Sequence, residues 1–163
     1  YTFNNCLFSN ITSQGSVIVV GSSGHPYMNF SNCTFACNES DSFILMLNGN
    51  VNIANSIFYN NSPYQIKVNP MVASGETTTI NINYSNIQDG YAGIQQAAGN
   101  TINYSESNIS GNPLFLGGDD IHDPLYYSLG AGSPCINSGT PDTLGLNLCL
   151  MIWRVTGGSR KAV

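Results

Sequence analysis

The chain has 163 residues, 42% hydrophobic and 8% charged, so it holds apolar material for one core while its surface is polar with little charge. Its 22 Asn and 17 Gly, with many Ser and Thr, disfavour helix and favour strands joined by turns. Within the formal net charge of −5, Arg154, Arg160 and Lys161 fall at the end, leaving Lys67 against nine acids in residues 1–148; a phosphate-binding surface is excluded, so neither nucleic acid nor anionic membrane is an expected partner.

No apolar run approaches the ~20 residues of a membrane span, so none is expected in this fragment. The first residues already belong to a repeat and carry no leader-like pattern, so the natural protein is expected to begin upstream.

Taken in chain order, Phe3–Phe8, Phe30–Phe35 and Ile53–Phe58 share one pattern: apolar, any, Asn, Cys or Ser, any, Phe. Ile82–Ile87 is a fourth copy with Tyr84 in place of Asn, and the copies start 27, 23 and 29 residues apart. Two residues beyond each copy stand Asn10, Cys37, Asn60 and Asp89, mostly small polar turn formers. A second apolar run follows each of the first three copies, at 17–20, 43–47 and 65–68. Turn signals at 21–24, 48–50 and 62–63 separate the runs.

A period of this length marks a solenoid, and the two-residue alternation inside each copy is that of a strand. The expected fold is therefore all-β: a right-handed parallel β-helix of about four to five coils with an irregular C-terminal extension. Equivalent side chains of successive coils then stack into ladders about 4.8 Å apart. Phe8, Phe35 and Phe58, continued by Ile87, are expected to form an inward ladder, and Cys6, Cys33, Ser56 and Ser85 a ladder of small residues. Asn5, Asn32 and Asn55 are expected at backbone bends with amides bonded between coils, over a role as ordinary turn residues.

From about residue 80 the pattern changes. Ile82–Gly93 reads YSNIQDGYAG at its core, Gly111–Phe115 reads GNPLF, and Tyr127–Gly139 reads YSLGAGSPCINSG. This region resembles the closing part of bacterial secreted β-helix proteins of the pectin-lyase-like superfamily, in particular the choice-of-anchor Q surface proteins. The Gly-Ser-Pro-Cys-Ile stretch is its most specific element. Asn112 replaces the usual Asp, and Asn137-Ser138 replaces Asp-Ala. The resemblance implies an extracellular or cell-surface location, flanking coils and an anchor on the parent protein.

The expected organisation is coils in 1–112, a closing segment in 113–148 and an atypical tail in 149–163. The tail is basic, repeat-free and holds the only Trp. A one-base offset around Met151-Ile152 forces an Asp and resembles the short Asp-rich tail of the family, so 149–163 is read as out of frame. Sequencing the gene across Leu148 decides this.

Five Cys stand at 6, 33, 37, 135 and 149. Cys6 and Cys33 are read as buried unpaired ladder residues, with a bond between them as the alternative. Cys135 is expected under the terminal coil. A zinc site at Cys33 and Cys37 lacks two further ligands. Asp119, Asp120 and Asp123 are weak calcium candidates, an exposed turn being preferred, and no other cofactor is expected. His25 and His122 are read as loop residues.

Elimination chemistry needs a base and a cation, of which only Lys67 precedes the tail, and glycoside hydrolysis needs two carboxyl groups about 5 to 10 Å apart. Neither set is visible, and a fold does not confer catalysis. The favoured function is a non-catalytic extracellular β-helix region, stalk or adhesin-like, within a larger protein. The alternative is a fragment of a carbohydrate-active or carbohydrate-binding β-helix, meeting polysaccharide or surface glycan through Tyr59, Tyr64, Tyr91 and Tyr104.

Overall fold

The computed structural model describes residues 1–20, 27–46, 49–68 and 78–140. His25 and the tail, Cys149 included, lie outside the described residues. Among the described residues thirteen strands form three parallel sheets in which each strand pairs with its counterpart one coil away. The first sheet holds β1 (Thr2–Asn4), β4 (Tyr27–Ser31), β7 (Gly49–Ala54), β10 (Thr78–Asn83) and β13 (Thr101–Tyr104). The second holds β2 (Leu7–Ser9), β5 (Thr34–Ala36), β8 (Ile57–Tyr59) and β11 (Asn86–Ile87). The third holds β3 (Thr12–Val20), β6 (Glu39–Met46), β9 (Ile66–Val68) and β12 (Ile94–Gln96). The chain is a parallel β-helix.

Two sharp corners per coil make this possible. Asn5, Asn32, Asn55 and Tyr84 lie at φ 49–55° between the first and second sheets, and Asn10, Cys37, Asn60 and Asp89 at φ 55–63° between the second and third. Asn and Asp tolerate the left-handed region better than other side-chain-bearing residues, which explains the recurring Asn at both places. Most of the length difference between coils falls between the end of a third-sheet strand and the start of the next first-sheet strand, with a further register shift between Ser13 and Ser16.

Inside the tube the registers pair Phe8 with Phe35, Phe35 with Phe58, and Phe58 with Ile87. Ring centroids are 4.8 Å apart for Phe8–Phe35 and 4.2 Å for Phe35–Phe58, with interplanar angles of 4° and 19°. A second inward column runs Phe3, Phe30, Ile53, Ile82, Tyr104. It meets the first edge-on, Phe30 to Phe35 at 5.5 Å and 77°, an arrangement that suits aromatic quadrupoles.

The asparagine ladder is not where the sequence places it. The corner amides do not bond to one another: Asn32 donates between coils, to Asn4 Oδ1 of the preceding one at 3.0 Å, and its own Oδ1 is buried without a partner, while Asn55 pairs with Thr140. Stacked amides occur instead at Asn29, Asn52, Asn81 and Asn103 on the outer face of the first sheet, linked at 2.7–2.8 Å. Asn38, Asn61 and Gln65 form a buried stack just past the second corner, at 2.8 and 2.9 Å. The small-residue column has its own work. Ser56 Oγ accepts from Cys33 N and Ser85 Oγ from Ser56 N, both at 3.1 Å, so each hydroxyl satisfies a corner amide of the coil before it.

A fifth coil is present. Tyr104 pairs with Ile82, yet Ile109 pairs with Asn86. One extra residue has entered its corner relative to coil four, and the motif pattern is lost there.

Residues 113–140 do not lie beneath the end of the tube. They fold back along the outer face of the second sheet as a strap. Its hairpin is closed by Leu116 N to Ser128 O at 2.8 Å, Gly117 N to Tyr126 O at 3.0 Å and Gly130 N to Leu114 O at 2.7 Å. In the outward column Leu7, Thr34, Ile57, Asn86, Leu7 stays exposed while Leu129 and Cys135 pack on Ile57, which is buried. Cys135 therefore packs on the flank, bonded through Sγ to Asn86 Nδ2 at 3.2 Å, and not under the terminal coil.

Candidate functional site

The strap creates a cleft against the second corner. Tyr59 ends β8, and Asn60 and Cys37 are left-handed corner residues of adjacent coils. Facing them across about 270 Å³ are Asn112, Phe115 and Tyr126 of the strap. Phe115 meets Tyr59 edge-on at 6.3 Å and Tyr127 at 5.4 Å, which fixes the cleft wall. Asn112 Oδ1 accepts from Leu114 N at 2.9 Å, holding Leu114 at φ 49° on the rim. A bulky residue in that region is strained. No charged residue lines the cleft.

The four tyrosines proposed as a stacking platform do not share one surface. Tyr59 enters the strap cleft. Tyr104 continues an inward column and packs on the core, burial pushing its hydroxyl above its ordinary pKa. Tyr91 covers it edge-on at 5.8 Å and donates from Oη to Gln96 Oε1 at 2.8 Å. Tyr64 follows the second corner of coil three.

Asp119, Asp120 and Asp123 lie exposed at the hairpin tip, and two of their carboxylates serve the backbone: Asp120 Oδ1 accepts from His122 N and Asp123 Oδ1 from Leu125 N, at 2.8 and 2.9 Å. Asp123 thereby caps the 3₁₀ turn Pro124–Tyr127. Among the described residues no three His, Cys, Asp or Glu side chains converge on a metal position. A wider, open depression beside the third sheet is polar and contains one carboxylate, Glu39.

Cys6, Cys33, Cys37 and Cys135 are free thiols. Burial pushes Cys33 and Cys135 up to about 11, keeping them protonated and unreactive at neutral pH. Cys37 is half-buried and opens into the cleft.

Sequence reasoning missed Asn29, Asn52, Asn81 and Asn103, although the first three stand just before the first apolar position of a repeat. Extending the motif window by one residue would have found those three. Phe115, Asn112 and Tyr126 carry no such signal, because the strap meets the coils only in the folded chain.

Parallel coils, two left-handed corners per turn and stacked inward columns are now in view, and residues 1–140 match the family described as right handed beta helix region. This chain belongs to that family. No curated protein and no solved structure matches it. The winding of the β-helix is therefore right-handed, and the strap lies within the matched span.

Proposed function

We propose that this β-helix is a non-catalytic region of an extracellular or cell-surface protein, serving as a stalk that presents an adhesive surface. The observation that carries the reading is the surface itself. An amide column runs up the outer face of the first sheet, the strap covers the second, and of the two clefts described one contains a carboxylate. Stacking five coils makes a rigid rod whose length scales with coil number, which suits a spacer. The sequence resemblance to anchored surface proteins supports the location, with a surface glycan or polysaccharide as the partner.

Hydrolysis of a glycan would require paired carboxyl groups across the bond. Among the described acids, Glu39 and Asp41 stand on β6 of the third sheet, Asp89 and Glu106 at corners of coils four and five, and Asp119, Asp120 and Asp123 at the hairpin tip. The test combines a glycan array with a reducing-end assay on the same preparation. Glycan binding without turnover is the expected result. Turnover abolished by changing one acid within 1–148 would replace this reading with that of a carbohydrate-active enzyme.

A further inference from the structure

The strap cleft has a feature that structural packing leaves unexplained. Its polar groups are only partly spent on one another: Asn60 Nδ2 donates to Cys37 Sγ at 3.6 Å and Asn112 Oδ1 accepts from Leu114 N, while Tyr59 Oη, Tyr126 Oη, Asn60 Oδ1 and Asn112 Nδ2 form no hydrogen bond among the described residues. They surround half-buried rings of Tyr59, Phe115 and Tyr126. Apolar walls with a few convergent polar groups are the general form of a small-molecule site. Leu114 adds a second observation. It is held in the left-handed region, 42% exposed, at the rim of this cleft, and strain of that kind concentrates at binding sites.

Size and charge narrow the ligand. A volume of about 270 Å³ equals about nine waters at the liquid's share of ~30 Å³ each, which admits one six-membered ring and not a chain. With no charge in the lining and Lys67 on β9 of the third sheet, a uronate carboxylate would lose water without gaining a cation. Hydroxyl groups, in contrast, can both donate to and accept from amides and phenols while the ring's apolar face lies on an aromatic.

We infer that the cleft between the second corner and the strap binds a single neutral pyranose, as a free glycoside or as the terminal residue of a glycan. The inference rests on the adhesive reading above and names its contact point. Tyr59 and Tyr126 supply ring faces and hydroxyls, Asn60 and Asn112 supply amides, and the strap supplies half of the site.

Cys37 provides the readout, since its thiol lines the cleft. Iodoacetamide labelling of the full chain, resolved by peptide mass spectrometry, is measured with and without about 30 mM methyl glycosides of glucose, galactose, mannose and N-acetylglucosamine. For a dissociation constant of order 10 mM, one of them is expected to slow Cys37 labelling about fourfold. Cys6 labelling and the effect of galacturonate serve as controls, and both are expected to stay flat. Asn60→Gly keeps the left-handed corner while removing the amide, and Tyr59→Phe removes only a hydroxyl; each is expected to cut the protection at least by half.

Full protection retained in both variants overturns the inference, as does equal protection by galacturonate or none by any neutral glycoside. If no glycoside protects Cys37 while the chain still binds a glycan array, the cleft assignment fails and the adhesive reading stands. If both experiments are blank, both fall.

Discussion

Phe35 sits between two parallel rings, fully buried, and has no room to relax. Phe35→Ala is expected to destabilise the fold by about 3–5 kcal/mol in urea unfolding, since the neighbouring coils cannot collapse into the gap without breaking their ladders. A different rule governs Asn5, exposed and at φ 55°. Asn5→Gly is expected to be near neutral and Asn5→Ala to cost about 1 kcal/mol, because only the second forces a Cβ into the left-handed region. Titration adds a third residue-scale expectation. Cys33 and Cys135 have folded pKa values of about 11 against an ordinary 9.0, burial being the main cause. Folding therefore favours their protonated forms, and that stability is complete below pH 9 and lost as pH rises from 9 towards 11. The loss amounts to roughly 3 kcal/mol per thiol at the upper end. Tyr104 and Tyr127 are raised in the same direction by burial. A urea midpoint unchanged between pH 8 and 10.5 would contradict this.

Among the elements, the strap depends on few anchors. Asn86, fully buried, donates to Gly111 O at 2.8 Å and to Cys135 Sγ at 3.2 Å and accepts from Gly111 N at 2.9 Å. At the other end Asn10 Nδ2 holds Ile121 O and Tyr127 Oη at 2.9 and 2.7 Å, and Thr140 is clasped by Asn55 at 3.0 and 2.8 Å. Asn86→Ala leaves both polar groups of Gly111 without their partner, and a cost of about 2–4 kcal/mol is expected. Local opening should precede global unfolding, so limited proteolysis within 116–126 is expected to accelerate at least tenfold while the coils remain protected. Gly130 is a further constraint: a Cβ there would meet Leu114 O at 2.8 Å. Repeats were legible at this scale because each copy satisfies the same corner and column. The fifth coil was not, since one inserted corner residue shifted Ile109 out of the pattern.

In a preparation of residues 1–163 taken by themselves, β1, β2 and β3 are the edge strands of the three sheets at one end of the tube. Phe3 and Phe8 are only partly buried there, so an apolar column and unpaired backbone groups face outward together. Such an edge templates further strand pairing. Concentration-dependent self-association is expected in sedimentation velocity, and Phe8→Lys is expected to reduce it by placing a charge in the open column. A monodisperse monomer across the micromolar range would argue against an exposed edge of this kind.

Local chemistry and period were enough to set the tube. A residue that recurs at a left-handed corner or in an inward column must meet the same requirement in every coil, so its type repeats and can be read from one chain. Phe8, Phe35, Phe58 and the turn formers Asn10, Cys37 and Asn60 were legible for that reason. The strap's path, the partners of Asn32 and Asn55, and the cleft joining Tyr59 to Phe115 and Tyr126 depended on tertiary structure alone. They are contacts between segments of different pattern, made once, and a contact made once leaves no period in the sequence.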